Sequence, residues 1–304
     1  MSQHAIENGL KYFLLDVFTE SRFGGNPLAV FPEADTLTGE QMQQIAGELN
    51  LSETTFIRRA KERDSDCTVR IFTPRSEVPL AGHPTIGTAW TILKNNLLKP
   101  RHEGRLIFDL GVGPVSVDFT MANGEPRDLV MHQRLPDLLR AFDKTAVAET
   151  LSLKPSDIED DSPVQLVSCG LPIVLVPVKS LDALGRASVR LDLLDETLGG
   201  TECRELFVFT CRTESPDVDV RCRFFAPRYG VTEDPATGGA HGPLGSYLVK
   251  YGLNDGERII SEQGVEMGRR STIKVHIETR GDEIVDVAVS GDCVEVGTGC
   301  MRVD

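Results

Sequence analysis

Three residues in this chain are of the types that carry protons, and each stands where one element gives way to the next: Glu53, His83 and Asp234. Glu53 follows an amphipathic stretch ending near Asn50 and precedes the strand-like run 55–57. Between Leu51 and Phe56, its carboxylate is either a partly desolvated general base with a raised pKa or a solvated loop glutamate. His83, in Ala81-Gly-His-Pro-Thr85, sits at the mouth of a second helix. It reads either as a proton donor or carboxylate-binding group, or as a cap for that helix. Asp234, in Glu233-Asp-Pro-Ala-Thr-Gly-Gly239, precedes a third helix, although Asp before Pro also starts turns for purely conformational reasons. Gly82 and Gly87 in the first of these turns, and Gly238 and Gly239 in the second, let backbone N–H groups approach a ligand. Helix N-termini add unpaired donors and a positive dipole end, which suits a carboxylate or a phosphate.

The elements that must position these residues are mostly short β-runs broken by Gly, Pro and Asp. Strands are expected at 12–18, 28–31, 55–57, 69–72, 106–110, 115–119, 164–167, 173–178, 206–210, 218–225, 272–277 and 285–289. The first helix follows Thr38, with Gln41 three residues on as a capping box and Met42, Ile45, Ala46 and Leu49 on one stripe. The second begins near Pro84 with Ile86, Ala89, Trp90 and Leu93 in phase. The third begins near Gly239, carries Leu244, Tyr247, Leu248 and Tyr251, and stops at Gly252. Residues 181–198 have a less regular helical pattern.

A weak internal repeat organises these elements. Shifted by 153 residues, Arg70-Ile-Phe-Thr-Pro-Arg-Ser-Glu-Val78 lies over Arg223-Phe-Phe-Ala-Pro-Arg-Tyr-Gly-Val231, with five of nine positions matching. With one gap, Thr85 falls over Thr237 and Gly87 over Gly239. Each copy reads as strand, x-Pro-Arg loop, turn and amphipathic helix, as a duplication would leave it. Two related halves suit the 304-residue length, with 123–134, rich in Gly, Pro and charge, as the seam.

Composition excludes whole classes. With 40% hydrophobic and 26% charged residues the chain is that of a folded globular protein. The net charge of −14, with basic residues interleaved among acids, argues against nucleic acid and anionic membranes as partners. The stretch 1–11 is polar and unlike a secretory signal, and no apolar run approaches the ~18 residues of a membrane span. Seven cysteines at 67, 169, 203, 211, 222, 293 and 300, without C-x-x-C spacing, read as buried reduced thiols of a cytoplasmic protein. The six histidines at 4, 83, 102, 132, 241 and 276 have no ligand spacing, so no metal is expected. Nucleophile-elbow, P-loop and zinc-protease motifs are absent.

Taken in order, several segments resemble one family. They are Asp16-Val-Phe18 with Phe23-Gly-Gly-Asn-Pro-Leu-Ala-Val30, Asn50-Leu-Ser-Glu-Thr-Thr-Phe56, Arg70-Ile-Phe-Thr-Pro74, Glu77-Val-Pro-Leu-Ala-Gly-His-Pro-Thr85, Glu233-Asp-Pro-Ala-Thr-Gly238 and Gln263-Gly-Val-Glu-Met-Gly-Arg269. Nearly end to end the chain resembles the PhzF-like (phenazine biosynthesis protein) family of the diaminopimelate epimerase-like fold. The resemblance implies an α+β protein of two pseudo-symmetric lobes, each a β-barrel-like sheet around a central helix, with the active site between them. Residues 1–126, completed by a C-terminal strand at 286–304, would form one lobe and 127–285 the other.

The resemblance further implies an isomerase that shifts a proton between carbons without cofactor or metal, of the trans-2,3-dihydro-3-hydroxyanthranilate isomerase type. Glu53 matches the family's base, and His83 and Asp234 match its other catalytic pair. Asn26, Gly82, Thr237, Gly238 and Gly239 would bind a small carboxylate-bearing metabolite, and the protein would be a homodimer. Family members usually carry Ser where this chain has Gly239, which makes a catalytically weak metabolite-binding protein of the same fold the alternative. His241, two residues on, reads as a helix-surface residue. An epimerase or racemase acting on an amino-acid derivative is a further alternative, but its two opposed thiols have no counterpart in these turns. A hydrolase built on Ser52, His83 and Asp234 lacks a nucleophile elbow.

Overall fold

The computed structural model describes residues 9–201 and 203–303, so most of the polar stretch 1–11, with His4, lies outside the described residues. The chain divides into two units, one running to Met131 and resuming at Asp292, the other His132–Gly291. The first contains β1 (Leu10–Val17), β2 (Asn26–Phe31), α1 (Gly39–Leu49), β3 (Glu53–Arg59), β4 (Cys67–Phe72), β5 (Glu77–Val78), α2 (Gly82–Lys94), β6 (Arg105–Leu110), β7 (Gly113–Ala122) and β8 (Glu125–His132). The strand Cys293–Met301 pairs antiparallel with β1, and β1 with β2. β2 then runs parallel to β3, β3 antiparallel to β4, and β4 antiparallel to β5 but parallel to β6. The antiparallel ladders β6–β7 and β7–β8 follow. Parallel neighbours need a crossover. Here α1 provides it between β2 and β3, and α2 between β4 and β6.

The second unit contains β9 (Asp137–Ala141), α3 (Lys144–Thr150), β10 (Gln165–Ser168), β11 (Pro172–Pro177), α4 (Leu181–Arg186), α5 (Leu191–Thr197), β12 (Leu206–Thr210), β13 (Val220–Ala226), β14 (Val231–Asp234), α6 (Gly238–Lys250), β15 (Ile259–Gln263), β16 (Ser271–Arg280) and β17 (Glu283–Ser290). Its pairings repeat those of the first unit strand for strand. β9–β10–β11 are antiparallel, β11 is parallel to β12, β12 antiparallel to β13, β13 antiparallel to β14 and parallel to β15, and β15–β16–β17 antiparallel. The strand Cys293–Met301, hereafter β18, thus holds in the first unit the place that β9 holds in the second.

The nine-residue repeat is the visible remnant of this duplication, and its side chains do the same work twice. Arg70 on β4 forks onto Glu77 of β5 through two 2.7 Å bonds and lies 5.0 Å over Phe72. Arg223 on β13 forks onto Glu233 of β14 through two 2.8 Å bonds and lies 4.8 Å over Phe225.

In each unit one crossover helix, α2 in the first and α6 in the second, lies inside the sheet. α2 packs against β1, β2, β3 and β7, strands from distant parts of the ladder, so the sheet curves around it. Every residue from Gly82 to Leu93 is buried. α6 packs likewise against β10, β11, β16 and β17. Gly87 shows how close the approach is: a Cβ there would come within 2.6 Å of Leu28 and 2.7 Å of Val17. The outer faces are covered by smaller helices. α1 sits on Phe31, Phe56 and Phe72, whose rings follow one another at 5.1 and 5.5 Å, and α3 to α5 close a second core around Leu151, Leu184 and Leu194.

The capping box at Thr38 and Gln41, the starts of α2 and α6 and the stop at Gly252 (φ 66°) are all present. Other expectations need correction. The seam expected at 123–134 does contain the boundary between the units, at Met131 and His132, but it is strand β8 and not a linker, because Pro126, Leu129 and Met131 turn inward from it despite its charged neighbours. Residues 181–198 form two short helices, α4 and α5, with the break at 187–190. Among the thiols, Cys67, Cys169, Cys203 and Cys222 are buried, but Cys211 and Cys300 are exposed. Among the described residues, no helix is long and apolar enough to cross a membrane.

Candidate active site

Glu53 is placed by a stop and a start. α1 ends at Asn50 in the left-handed conformation (φ 49°), turning the chain back. Glu53 then opens β3 alongside Leu28 of β2, its side chain 18% exposed. Asn26, the first residue of β2, is fully buried. His83, the second residue of α2, is 3% exposed, and burial pulls its pKa down to about 3. At neutral pH the ring is therefore uncharged.

These three side chains meet. The Asn26 Nδ2 lies 3.1 Å from His83 Nδ1, and His83 Nε2 lies 3.4 Å from Glu53 Oε2. With the amide nitrogen donating, Nδ1 accepts and the ring proton sits on Nε2, aimed at the Glu53 carboxyl. At 3.4 Å the latter contact is longer than a hydrogen bond, and His83 Nε2 makes none among the described residues. Asn26 thus fixes which nitrogen of a neutral imidazole carries the proton, and Glu53 stands next to it.

The second unit assembles the other predicted residues. Asp234 ends β14 and is 6% exposed. Thr237 Oγ1 donates to its Oδ2 at 2.5 Å. That hydroxyl is consequently not used to cap α6, and neither the start of α6 nor that of α2, which follows Ala81, has a side-chain cap. The N–H groups of Gly82 and His83, and of Gly238 and Gly239, lie in those uncapped first turns, where an anion is favoured. A Cβ on Gly239 would meet only Leu171 Cδ1, at 3.9 Å, so a larger residue fits there.

Sequence reasoning misplaced one neighbour and missed two. His241 is fully buried and not on a helix surface, since α6, enclosed by strands, leaves that position no solvent face. Its Nδ1 donates to Thr237 O at 2.8 Å and its Nε2 is 2.9 Å from Ser261 Oγ, while burial lowers its pKa to about 4. Gln263 and Gln133 were not singled out. Gln263 bonds both Asp234 and Thr237, and Gln133 Nε2 donates to Gly238 O at 3.0 Å. Gln263 lies in a family segment, but as an amide it carries no charge to draw attention. Among the described residues no three His, Cys, Asp or Glu side chains are grouped so as to hold a metal ion. A groove of the first unit, about 540 Å³ beside Trp90, Lys94 and Arg127, contains none of the predicted site residues.

Comparison with known proteins places this geometry. Residues 15–299 match the family model of phenazine biosynthesis-like proteins. A trans-2,3-dihydro-3-hydroxyanthranilate isomerase of Pseudomonas chlororaphis is 35% identical over 300 residues, covering 95% of this chain and 98% of its own. An isomerase of Clostridium acetobutylicum is 35% identical over 291 residues, 93% and 95% of the two chains. The crystal structure of a PhzF-family protein from Bacillus anthracis matches with a TM-score of 0.87 at 26% identity over 97% of this chain and 99% of that one. A hydroxyproline epimerase from Agrobacterium vitis shares the fold alone, with a TM-score of 0.65 at 13% identity over 98% and 94% of the chains. With the duplicated sheet-and-helix units, these matches make the chain an isomerase of diaminopimelate epimerase-like fold that belongs to the phenazine biosynthesis-like, or PhzF, family.

Proposed function

We propose that this isomerase moves a proton between carbons of a small carboxylate-bearing metabolite, using its own side chains without cofactor or metal. The substrate is of the class of trans-2,3-dihydro-3-hydroxyanthranilate, the compound for which the Pseudomonas relatives are named. Glu53 removes the proton as a carboxylate and returns it, as a carboxylic acid, to a different carbon, so the enzyme ends each cycle as it began. His83 supplies a neutral Nε2–H donor, and Asp234 is the second proton-handling carboxyl. Asn26 and the turns at Gly82 and at Thr237, Gly238 and Gly239 hold the substrate's polar groups, with uncapped N–H groups suited to its carboxylate. The observation that carries this reading is the Glu53–His83–Asn26 arrangement, in which an uncharged, tautomer-fixed imidazole stands 3.4 Å from a carboxyl group at the start of a strand. The reading includes a cytoplasmic setting and a homodimer, the latter checked by sedimentation.

The test incubates wild type and Glu53→Gln with trans-2,3-dihydro-3-hydroxyanthranilate in D₂O and follows both by NMR. Isomerisation with deuterium uptake is expected for wild type, with a loss of about 100-fold or more in the variant. Turnover surviving in Glu53→Gln would remove Glu53 as the base. A second reading, a metabolite-binding protein with little turnover, is favoured by one feature, the open space beside Gly239, where the family resemblance implies a Ser hydroxyl. Ligand affinity with no deuterium uptake in wild type would establish it.

A further inference from the structure

Behind Asp234 lies a chain of hydrogen bonds whose direction is fixed. Gln263 closes β15, pairing in parallel with Cys222 of β13 and antiparallel with Ser271 of β16, and is fully buried. Its Nε2 donates to Asp234 O at 2.6 Å and to Thr237 Oγ1 at 3.0 Å, and its Oε1 accepts from Thr237 N at 3.0 Å. A carbonyl oxygen only accepts and a backbone N–H only donates, so the amide cannot be turned over. Thr237 Oγ1 already accepts a hydrogen bond from Gln263, and its own O–H is directed to Asp234 Oδ2, 2.5 Å away. The surrounding backbone is locked. Ser271 Oγ donates to Pro235 O at 2.7 Å, and a Cβ on Gly264 would come within 2.6 Å of both Pro235 O and Arg269 O. His241 takes Thr237 O from the helix side.

We propose that Gln263 is a positioning residue for Asp234. Acting through the Thr237 hydroxyl, it commits Oδ2 to accepting and so keeps the proton that Asp234 exchanges off that oxygen. The consequence rests on the reading above, that Asp234 handles a proton in the reaction. The relay itself does not, because it is a property of the protein without substrate. Three bonds from one uncharged side chain thus set the oxygen, the orientation and the proton affinity of a carboxyl group that Gln263 touches only through its backbone.

The relay is tested by ¹³C-carboxyl NMR titration of the full chain, with the Asp234 resonance assigned by its absence in Asp234→Asn. Thr237→Val removes the donor to the ionised carboxylate and is expected to raise the Asp234 pKa by about one pH unit. Thr237→Ser keeps the hydroxyl and keeps the wild-type value. Gln263→Met removes the amide but leaves the hydroxyl free to turn, and is expected to raise the pKa by a part of that shift. The Gln263→Met/Thr237→Val double variant should fall close to Thr237→Val alone, well short of the sum of the two single shifts, since the amide reaches the carboxylate oxygen through the hydroxyl.

The charged groups on the neighbouring strands are paired, Arg223 with Glu233 and Glu262 with Arg270, and every variant retains them. An unchanged pKa in Gln263→Met, or additive shifts in the double variant, would overturn the proposal. Should Gln263→Met fail to fold, the wild type decides. A slowly exchanging Thr237 hydroxyl proton is expected, and fast exchange refutes the relay. A titration that behaves as described in a protein without turnover of dihydrohydroxyanthranilate would count against the catalytic reading and leave the relay intact.

Discussion

Two neutral histidines locked inside the protein make its stability sensitive to mild acid, and the size of the effect can be worked out. His83 and His241 are held at about 3 and about 4 by burial, against 6.5 in an unfolded chain. Below pH 6.5 the unfolded chain takes up protons that the folded one refuses, so stability falls with pH until the folded rings themselves titrate. At pH 4 each histidine accounts for about 3 kcal/mol of lost stability, roughly 6 together, comparable to the whole stability of many domains.

Carboxylates add to the slope, so the measurement compares variants. Urea unfolding at a series of pH values should show, for His241→Asn, a dependence between pH 6 and 4.5 shallower than wild type by about 1.1 kcal/mol per pH unit. If the units unfold in separate steps, His241 governs the second unit's transition and His83 the first's. A His241→Asn slope equal to wild type would refute the claim that this ring is buried neutral.

Other substitutions separate tight from loose positions. Gly239→Ser should fold with stability within about 1 kcal/mol of wild type in thermal melts, since only Leu171 is near, and should raise turnover of dihydrohydroxyanthranilate if the missing hydroxyl is what limits it. Gly87→Ala should cost about 1–3 kcal/mol in denaturant unfolding, because the new methyl meets Leu28 and Val17 in a packed core. The duplicated arginines should differ. Arg223→Met strands a Glu233 side chain that is 15% exposed and three backbone carbonyls, those of Leu184, Gly185 and Ala187, and should cost about 3 kcal/mol or more. Arg70→Met opposes a half-exposed Glu77 and should cost about 1 kcal/mol or less on its charge alone.

What could be read from sequence tracks what burial imposes on residue type. Strands with both faces covered, such as β11 and β12, are continuous apolar runs and stand out at once. β8 does not, because Arg127 and Asp128 face outward and Pro126 mimics a turn, while its three inward residues are spaced irregularly around the left-handed Asp128 (φ 48°). β9 has almost nothing to bury and gives no pattern. Glu53, His83 and Asp234 stood out as titratable residues at element junctions, but position alone left each open between a chemical and a structural role, and the roles expected of them came from the family resemblance. The contact of Asn26 with His83, 57 positions apart in the sequence, and the role of Gln263 depend on strand register, which one sequence does not encode legibly. His241 was misread because amphipathic reasoning assumes a helix has a wet side, and α6 has none.

The pairing of β18 with β1, from Leu10 opposite Met301 to Val17 opposite Cys293, has a consequence for synthesis. A ribosome delivers residues in order, so the contiguous second unit has all its strands before the first has its last one. The half that is translated first is finished last, and until residue 301 emerges one side of β1 remains an unpaired edge open to wrong partners. Nascent chains ending at residue 292 and held clear of the ribosome by a flexible linker should therefore hold a protease-resistant second unit behind an unfinished first one, and deletion of β18 should injure the beginning of the protein and spare its middle.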